Sequence, residues 1–224
     1  MEVMGFYGDS RRRLVSAVSA KITSYREFDV AVIDLKLSED ELWHKIFPKH
    51  RSEVNKAHRY NLKFKQVNDI EYFLRLLDET YRRQNLHTPD LSYIRKEFET
   101  LHSYKTAELF FVYEGDTILC GALIQLFGKK AVYAFGGSIK HSIGAGQLLQ
   151  WEIIRHLKKS GYEYYQLGEV AKEVDEQNLK FTVGISRFKK RFGSIQHPSF
   201  KTAYSFNSTN RRIWKLLQKI IIRK

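Results

Sequence analysis

A single cysteine, Cys120, stands among the 224 residues. An intrachain disulfide framework is therefore excluded, as is every zinc site built on several thiolates. Only three prolines occur, too few for a proline-rich linker. No stretch approaches the roughly 20 apolar residues that span a bilayer, and the N-terminal segment lacks the apolar core of a secretory signal. A cytoplasmic protein is expected. No G-x-G-x-x-G, G-x-S-x-G, H-E-x-x-H, Walker A or calcium-loop pattern is present, and the eight histidines show no metal-ligand spacing. The expected metal count is zero. Acidic side chains are missing from one region altogether: none follows Glu176.

That last absence localises the charge. The chain carries 38 Lys and Arg against 25 Asp and Glu, a net of +13, and 12 of the cations lie after residue 176. The first 176 residues are nearly neutral. A basic block of this kind suits a phosphate-bearing partner or an anionic membrane surface; a merely solubilising surface is the competing reading. Hydrophobic residues make up 43% of the chain, enough for a core.

Periodicity gives an α+β order. FDVAVIDLKL (28–37) alternates as a strand. Ser38 and Glu41 form a capping box for a helix that Pro48 ends. A basic helical stretch follows over 49–60, then a strand at 62–67. Helices open at Asn68 or Asp69 and at Pro89-Asp90. Three meandering strands, 109–114, 117–127 and 131–138, are joined by turns at Gly115-Asp116 and Gly128-Lys129-Lys130. A glycine-containing loop leads into a helix over 145–160 closed by Gly161. A strand at 162–168, a helix at 178–191, a strand at 200–206 and a last helix at 209–224 complete the reading. Cys120, in the apolar run TILCGALIQLF, reads as a buried core thiol.

Five stretches carry candidate chemistry. In His141-Ser142-Ile143-Gly144-Ala145-Gly146 the glycines let backbone approach an anion at a helix N-terminus; a simple tight turn has the same pattern. Glu169, following Gly168 at a strand end, is a candidate to orient or deprotonate an amine. In Ile185–Gly193, Phe188 and Phe192 share a helix face and display Arg187, Lys189, Lys190 and Arg191 towards a phosphate or an oxyanion. Arg51, Lys56 and Arg59 spread over about half a helix and suit a polyanion. The last helix rings Ile213, Leu216, Leu217, Ile220 and Ile221 with cations. It suits a membrane interface or docking on the domain.

These stretches resemble the FemAB-like aminoacyltransferases, within the GNAT-fold acyltransferases. Lys49-His50-Arg51 through Val54-Asn55-Lys56-Ala57, preceded by Leu42-Trp43, is similar to that family's R-x-x-I-x-K-A helix. Tyr133–Ser138 leading to Leu148–Glu152, and Tyr165-Gln166-Leu167-Gly168, extend the likeness. Gly184–Gly193 is similar to G-I-x-x-F-K-x-x-F-G nearly throughout. His141-x-x-Gly144-x-Gly146 resembles the GNAT pyrophosphate loop.

The resemblance implies a GNAT-like mixed sheet flanked by helices. It implies transfer of an acyl or aminoacyl group to an amine, by direct attack, with no tightly bound cofactor. The donor is aminoacyl-tRNA or acyl-CoA; in well-studied members it is charged tRNA, and the acceptor is a peptidoglycan precursor, which is lipid-linked in one version of this reading. By position, Lys189 stabilises phosphate or transition-state charge, with Glu169 beside it. Arg51, Lys56, Arg187 and Tyr165 are expected to meet substrate, and His141, Gly144, Ala145 and Gly146 the donor's phosphates. The family's Y-D-L-G-G carries Gln166 and Glu169 here. Complete members have two tandem domains. Residues 1–60 are accordingly expected to be the remnant of a first domain plus connecting helices, 61–207 the catalytic domain, and 208–224 a basic helix able to touch a membrane. A homodimer restoring the missing half is one option, and a non-catalytic tRNA- or membrane-binding module is the alternative function.

Overall fold

A computed structural model of the chain describes residues 2–6, 21–140, 143–171 and 180–205. His141 and the helix expected at 208–224 lie outside these residues. The described strands form one eight-stranded mixed sheet, ordered β1-β8-β2-β7-β6-β5-β4-β3. They are β1 (Glu2–Phe6), β2 (Lys21–Asp34), β3 (Lys63–Gln66), β4 (Ala107–Glu114), β5 (Thr117–Phe127), β6 (Lys130–Ser138), β7 (Tyr164–Val170) and β8 (Ile195–Ser205). The helices are α1 (Glu39–Lys45), α2 (Pro48–Arg59), α3 (Ile70–Arg83), α4 (Leu91–Ser103), α5 (Ala145–Lys159) and α6 (Lys180–Lys190).

Local chemistry sets the helix starts. The Ser38–Glu41 capping box is formed in full. Pro48 occupies the first turn of α2, where its missing N–H costs nothing. Asp69 and Asp90 cap α3 and α4 with their carboxylates. Strand alternation then divides the core. On β4, Leu109 and Phe111 face α3 and α4, beside Phe73, Leu77, Ile94 and Phe98. Phe110 and Val112 face the other way, beside Val54, Leu149, Ile153, Tyr165 and Phe192. One helical layer thus covers each face of this sheet half.

Three elements depart from the sequence reading. β1 was unmarked, and β2 and β8 both start earlier than expected. Ser24 through Glu27 are exposed, so the first half of β2 has no apolar face to betray it. It is held by pairing with β8, from Lys21↔Ser205 onward. Gln196, His197 and Pro198 of β8 are likewise exposed. Pro198 sits one residue beyond the β1 pairing, which runs to Ser199, so that side of the strand needs no N–H. β7 continues through Glu169, placing it inside a strand rather than in a loop. β2, which precedes residue 60, lies between β8 and β7 in the sheet.

Two irregularities position the site. β6 and β7 pair in parallel only at Lys130↔Tyr164, Ala131↔Tyr165 and Val132↔Gln166. Beyond these pairs the two strands part. β6 carries a bulge there, its register stepping from Ile124↔Tyr133 to Leu123↔Phe135 and leaving Ala134 over. β7 carries another, since Val32 opposes Gln166 and Ala31 opposes Gly168. Gly168 adopts φ +86°, a conformation that suits glycine.

Candidate active site

The parted strands expose two inner edges, and each is lined by a helix. On the β6 side, Ile139 N–H donates to Leu119 O at 2.9 Å, so strand alternation turns the backbone groups of Ser138 and Gly136 away from β5 and towards the gap. Ser138 N–H finds Thr80 Oγ of α3 at 2.8 Å. A side chain on Gly137 would strike the Leu76 backbone at 2.9 Å, so glycine lets α3 rest on the strand. Gly136 is similarly required, because the Tyr133 hydroxyl occupies the space of a Cβ.

On the β7 side, α6 crosses the strand end. Buried Ser186 accepts a hydrogen bond from Ala171 N–H at 2.8 Å. Lys189 Nζ donates to Glu169 O at 2.9 Å. Burial lowers the Lys189 ammonium from its ordinary 10.5 to about 8, with the Glu169 charge opposing the fall. The Glu169 carboxylate itself is gripped by Arg26 of β2 through both oxygens, at 2.6 and 2.7 Å. The group read as a candidate base is therefore engaged in a fork-to-fork ion pair. Its backbone oxygen, not its carboxylate, meets Lys189.

A half-open cleft of about 370 Å³ lies at the start of α5. Gly144, Ala145 and Gly146 line it. Gly144 takes φ +69° as the helix N-cap, and no side chain caps this terminus. Its α-carbon lies against α2, where an added Cβ would come within 2.4 Å of Glu53 O. The cations on the cleft wall are Lys49 and Arg191, facing Glu53. Cys120, buried and with its thiol pushed up to about 12 by burial, forms part of the floor. The high value makes it inert as a thiolate, matching its reading as a core residue.

Other candidates fall elsewhere. Arg51 donates to His44 O at 3.2 Å, closing the end of α1, and neither it nor Lys56 nor Arg187 lines the cleft. Tyr165 is a correction: it is fully buried and its hydroxyl donates to Gln150 Oε1 at 2.8 Å. Position 165 faces the core in this strand, and the residue packs there.

His50 was passed over in the sequence. Its ring packs against both Phe188 and Phe192, at centroid distances of 5.2 and 4.8 Å, and those two rings also touch each other at 5.2 Å. Nε2–H donates to Phe188 O at 3.2 Å, and the buried Nδ1 has no partner. Burial holds the imidazole below its ordinary range, so it is neutral. The 3.6-residue spacing put His50 beside Val54 and Ala57 on one face, which was the available signal.

Among the described residues, no helix is long and apolar enough to cross a membrane. No curated protein matches the chain. Among solved structures, FemX superposes with a TM-score of 0.74 at 16% identity, covering 96% of this chain and 74% of that one. The C-terminal domain of a protein assigned as a lysylphosphatidylglycerol synthetase from Agrobacterium fabrum gives 0.56 at 19% identity, over 83% of this chain and 63% of its own. L-PGS from Bacillus licheniformis gives 0.56 at 15%, over 87% and 66%. The chain thus spans under two thirds of the last two. At these identities the likeness is one of fold. The model of the acetyltransferase (GNAT) domain matches residues 48–190, which hold α2, the bulged β6, the start of α5 and all of α6. With well over half its length matched, this chain belongs to the GNAT acetyltransferase domain family, and its fold is like that of FemX.

Proposed function

We propose that the protein transfers an aminoacyl group from charged tRNA to an amine acceptor. The observation that carries this reading is the packing of Gly144 on the Glu53 backbone. Helix α2 lies against one side of the donor loop, leaving a cleft bordered by Lys49 and Arg191. That arrangement favours a large phosphate-bearing donor approaching along a basic wall over one threading between loop and helix. Acyl-CoA is a second reading, favoured by the uncapped first turn of α5, where N–H groups suit a pyrophosphate.

The chemistry needs no covalent intermediate. The acceptor nitrogen attacks the ester carbonyl carbon, the carbonyl electron pair moves onto oxygen, and the tetrahedral oxyanion collapses with cleavage of the ester C–O bond. The amine's proton leaves with the departing hydroxyl or to water. In this reading Lys189, cationic below about pH 8 and held at the end of β7 by Glu169 O, stabilises the oxyanion or an adjoining phosphate. Arg26 and Glu169 hold the strand end to which Lys189 is tied. The family resemblance points to an amine of a peptidoglycan precursor as acceptor, met in the cytoplasm or at a membrane surface through the basic C-terminal segment.

The deciding experiment supplies purified full-length chain with an amine acceptor and either tRNA charged with a labelled amino acid or labelled acyl-CoA. Transfer from the tRNA and not from the thioester is expected. Transfer from acyl-CoA alone would replace the first reading with the second. Transfer from neither would favour a binding module.

A further inference from the structure

Phe47 precedes α2 and leaves 49% of its surface in solvent, an unusual exposure for a large apolar ring next to a cleft. The Arg191 guanidinium lies over it, 4.9 Å from the ring centre. The two are fixed to each other, since Phe47 N–H donates to Arg191 O at 2.8 Å. Arg191 also lines the cleft at the start of α5, so one guanidinium belongs both to the exposed stack and to the anion-suited wall. Lys49 stands two residues from Phe47 on the same wall. Buried His50, with its unpartnered Nδ1, lines the cleft as well. Counting Lys49, Arg191 and Glu53, with His50 neutral, the wall carries a net charge of +1.

A planar cation stacked on a half-exposed aromatic ring, continuous with a cationic cleft, is a combination that binds single-stranded nucleic acid: base against π surface, phosphate against charge. We propose that Phe47 and Arg191 form a stacking platform for a base at the single-stranded end of an RNA donor, with an adjoining phosphate held by Lys49 and the first turn of α5. This rests on the tRNA reading above and specifies where the nucleotide sits. Neither Phe47 nor Lys49 was singled out as a site residue by the sequence, because an exposed aromatic beside a proline looks like an ordinary loop position.

The test measures binding of a fluorescently labelled single-stranded RNA of about ten nucleotides with an unpaired 3′ adenosine, by anisotropy at several salt concentrations. Phe47→Ala is expected to weaken binding about 5- to 100-fold without changing the slope against salt. Phe47→Leu, which keeps apolar bulk but has no π face, should resemble the alanine variant, and Phe47→Trp should bind at least as well as the wild type. Lys49→Gln should reduce the salt slope by about one phosphate contact. Wild-type affinity in both Phe47→Ala and Phe47→Leu overturns the platform, as does absence of RNA binding in the wild type. Transfer from charged tRNA is measured in parallel on the wild type: transfer that persists while the Phe47 variants bind normally removes the platform and leaves the tRNA reading standing. Transfer from acyl-CoA alone removes both.

Discussion

His50 Nε2–H donates to the carbonyl oxygen of Phe188 at 3.2 Å, tying α2 to the last turn of α6. Because a carbonyl can only accept, the bond selects the tautomer and leaves Nδ1 as a bare acceptor. The groups acting on this imidazole are Arg191 of the α6 end and Lys49 and Glu53 of α2. Its folded pKa lies below the unfolded one, so the unfolded state binds the proton more readily. His50 therefore contributes full stability above about pH 6.5, and this is lost as pH falls through the folded pKa. His50→Phe should lack that part of the acid sensitivity, as read from urea unfolding at pH 5 and pH 7.5.

Lys189 behaves with the same sign at the alkaline end. Its folded pKa of about 8 lies below the ordinary 10.5, so the buried ammonium destabilises the native state below pH 8. That penalty disappears between pH 8 and 10.5. Lys189→Met should consequently be more stable than the wild type at pH 7, by up to about 3 kcal/mol, and lose its advantage as pH rises. Turnover should move oppositely: about 10²- to 10³-fold slower at pH 7, with the wild type declining above pH 8 as the cation is lost. A stable variant with wild-type turnover would remove Lys189 from the mechanism.

Glu169 and Arg26 form an exposed pair, at 46% and 58% of side-chain surface, so their contribution to stability is small, below about 1 kcal/mol. Glu169→Gln should keep turnover within a few-fold, as expected of a residue whose carboxylate is already bound by a guanidinium. A loss of 100-fold or more would restore it as the proton acceptor.

Gly144 and Gly161 share positive φ, +69° and +81°, but differ in surroundings. A Cβ at Gly161 meets nothing within 4 Å, while one at Gly144 meets the Glu53 backbone. Gly161→Ala should cost about 1 kcal/mol, from backbone strain alone. Gly144→Ala should cost more, and should also reduce donor affinity by displacing α2. Denaturant midpoints and donor titration measure the two effects separately.

Much of the helical fold was legible in the sequence, because capping residues and 3.6-residue patterns are local: Ser38, Asp69 and Asp90 announced their helices directly. β1 and the starts of β2 and β8 were not legible: they are held by backbone pairing with distant strands, and residues 24–27 and 196–198 are exposed. Gly144 to Gly146, a glycine pattern with a direct backbone meaning, line the cleft. The burial of Tyr165 was not legible, because which side of a strand faces the core depends on the helix above it. Lys49 and Arg191 reach the cleft from α2 and from the end of α6, a meeting across some 140 positions that no short pattern encodes.

The parting of β6 from β7 after three paired residues gives this sheet two interior margins in addition to its outer ones. An outer margin is a hazard, because any other chain can extend the ladder there. The interior ones are shielded by α3, through Thr80 and Ser138, and by α6, through Ser186 and Ala171. The parting thus leaves two covered margins in the middle of the molecule, where helix side chains take the place of a neighbouring strand as partners of Ser138 and Ala171.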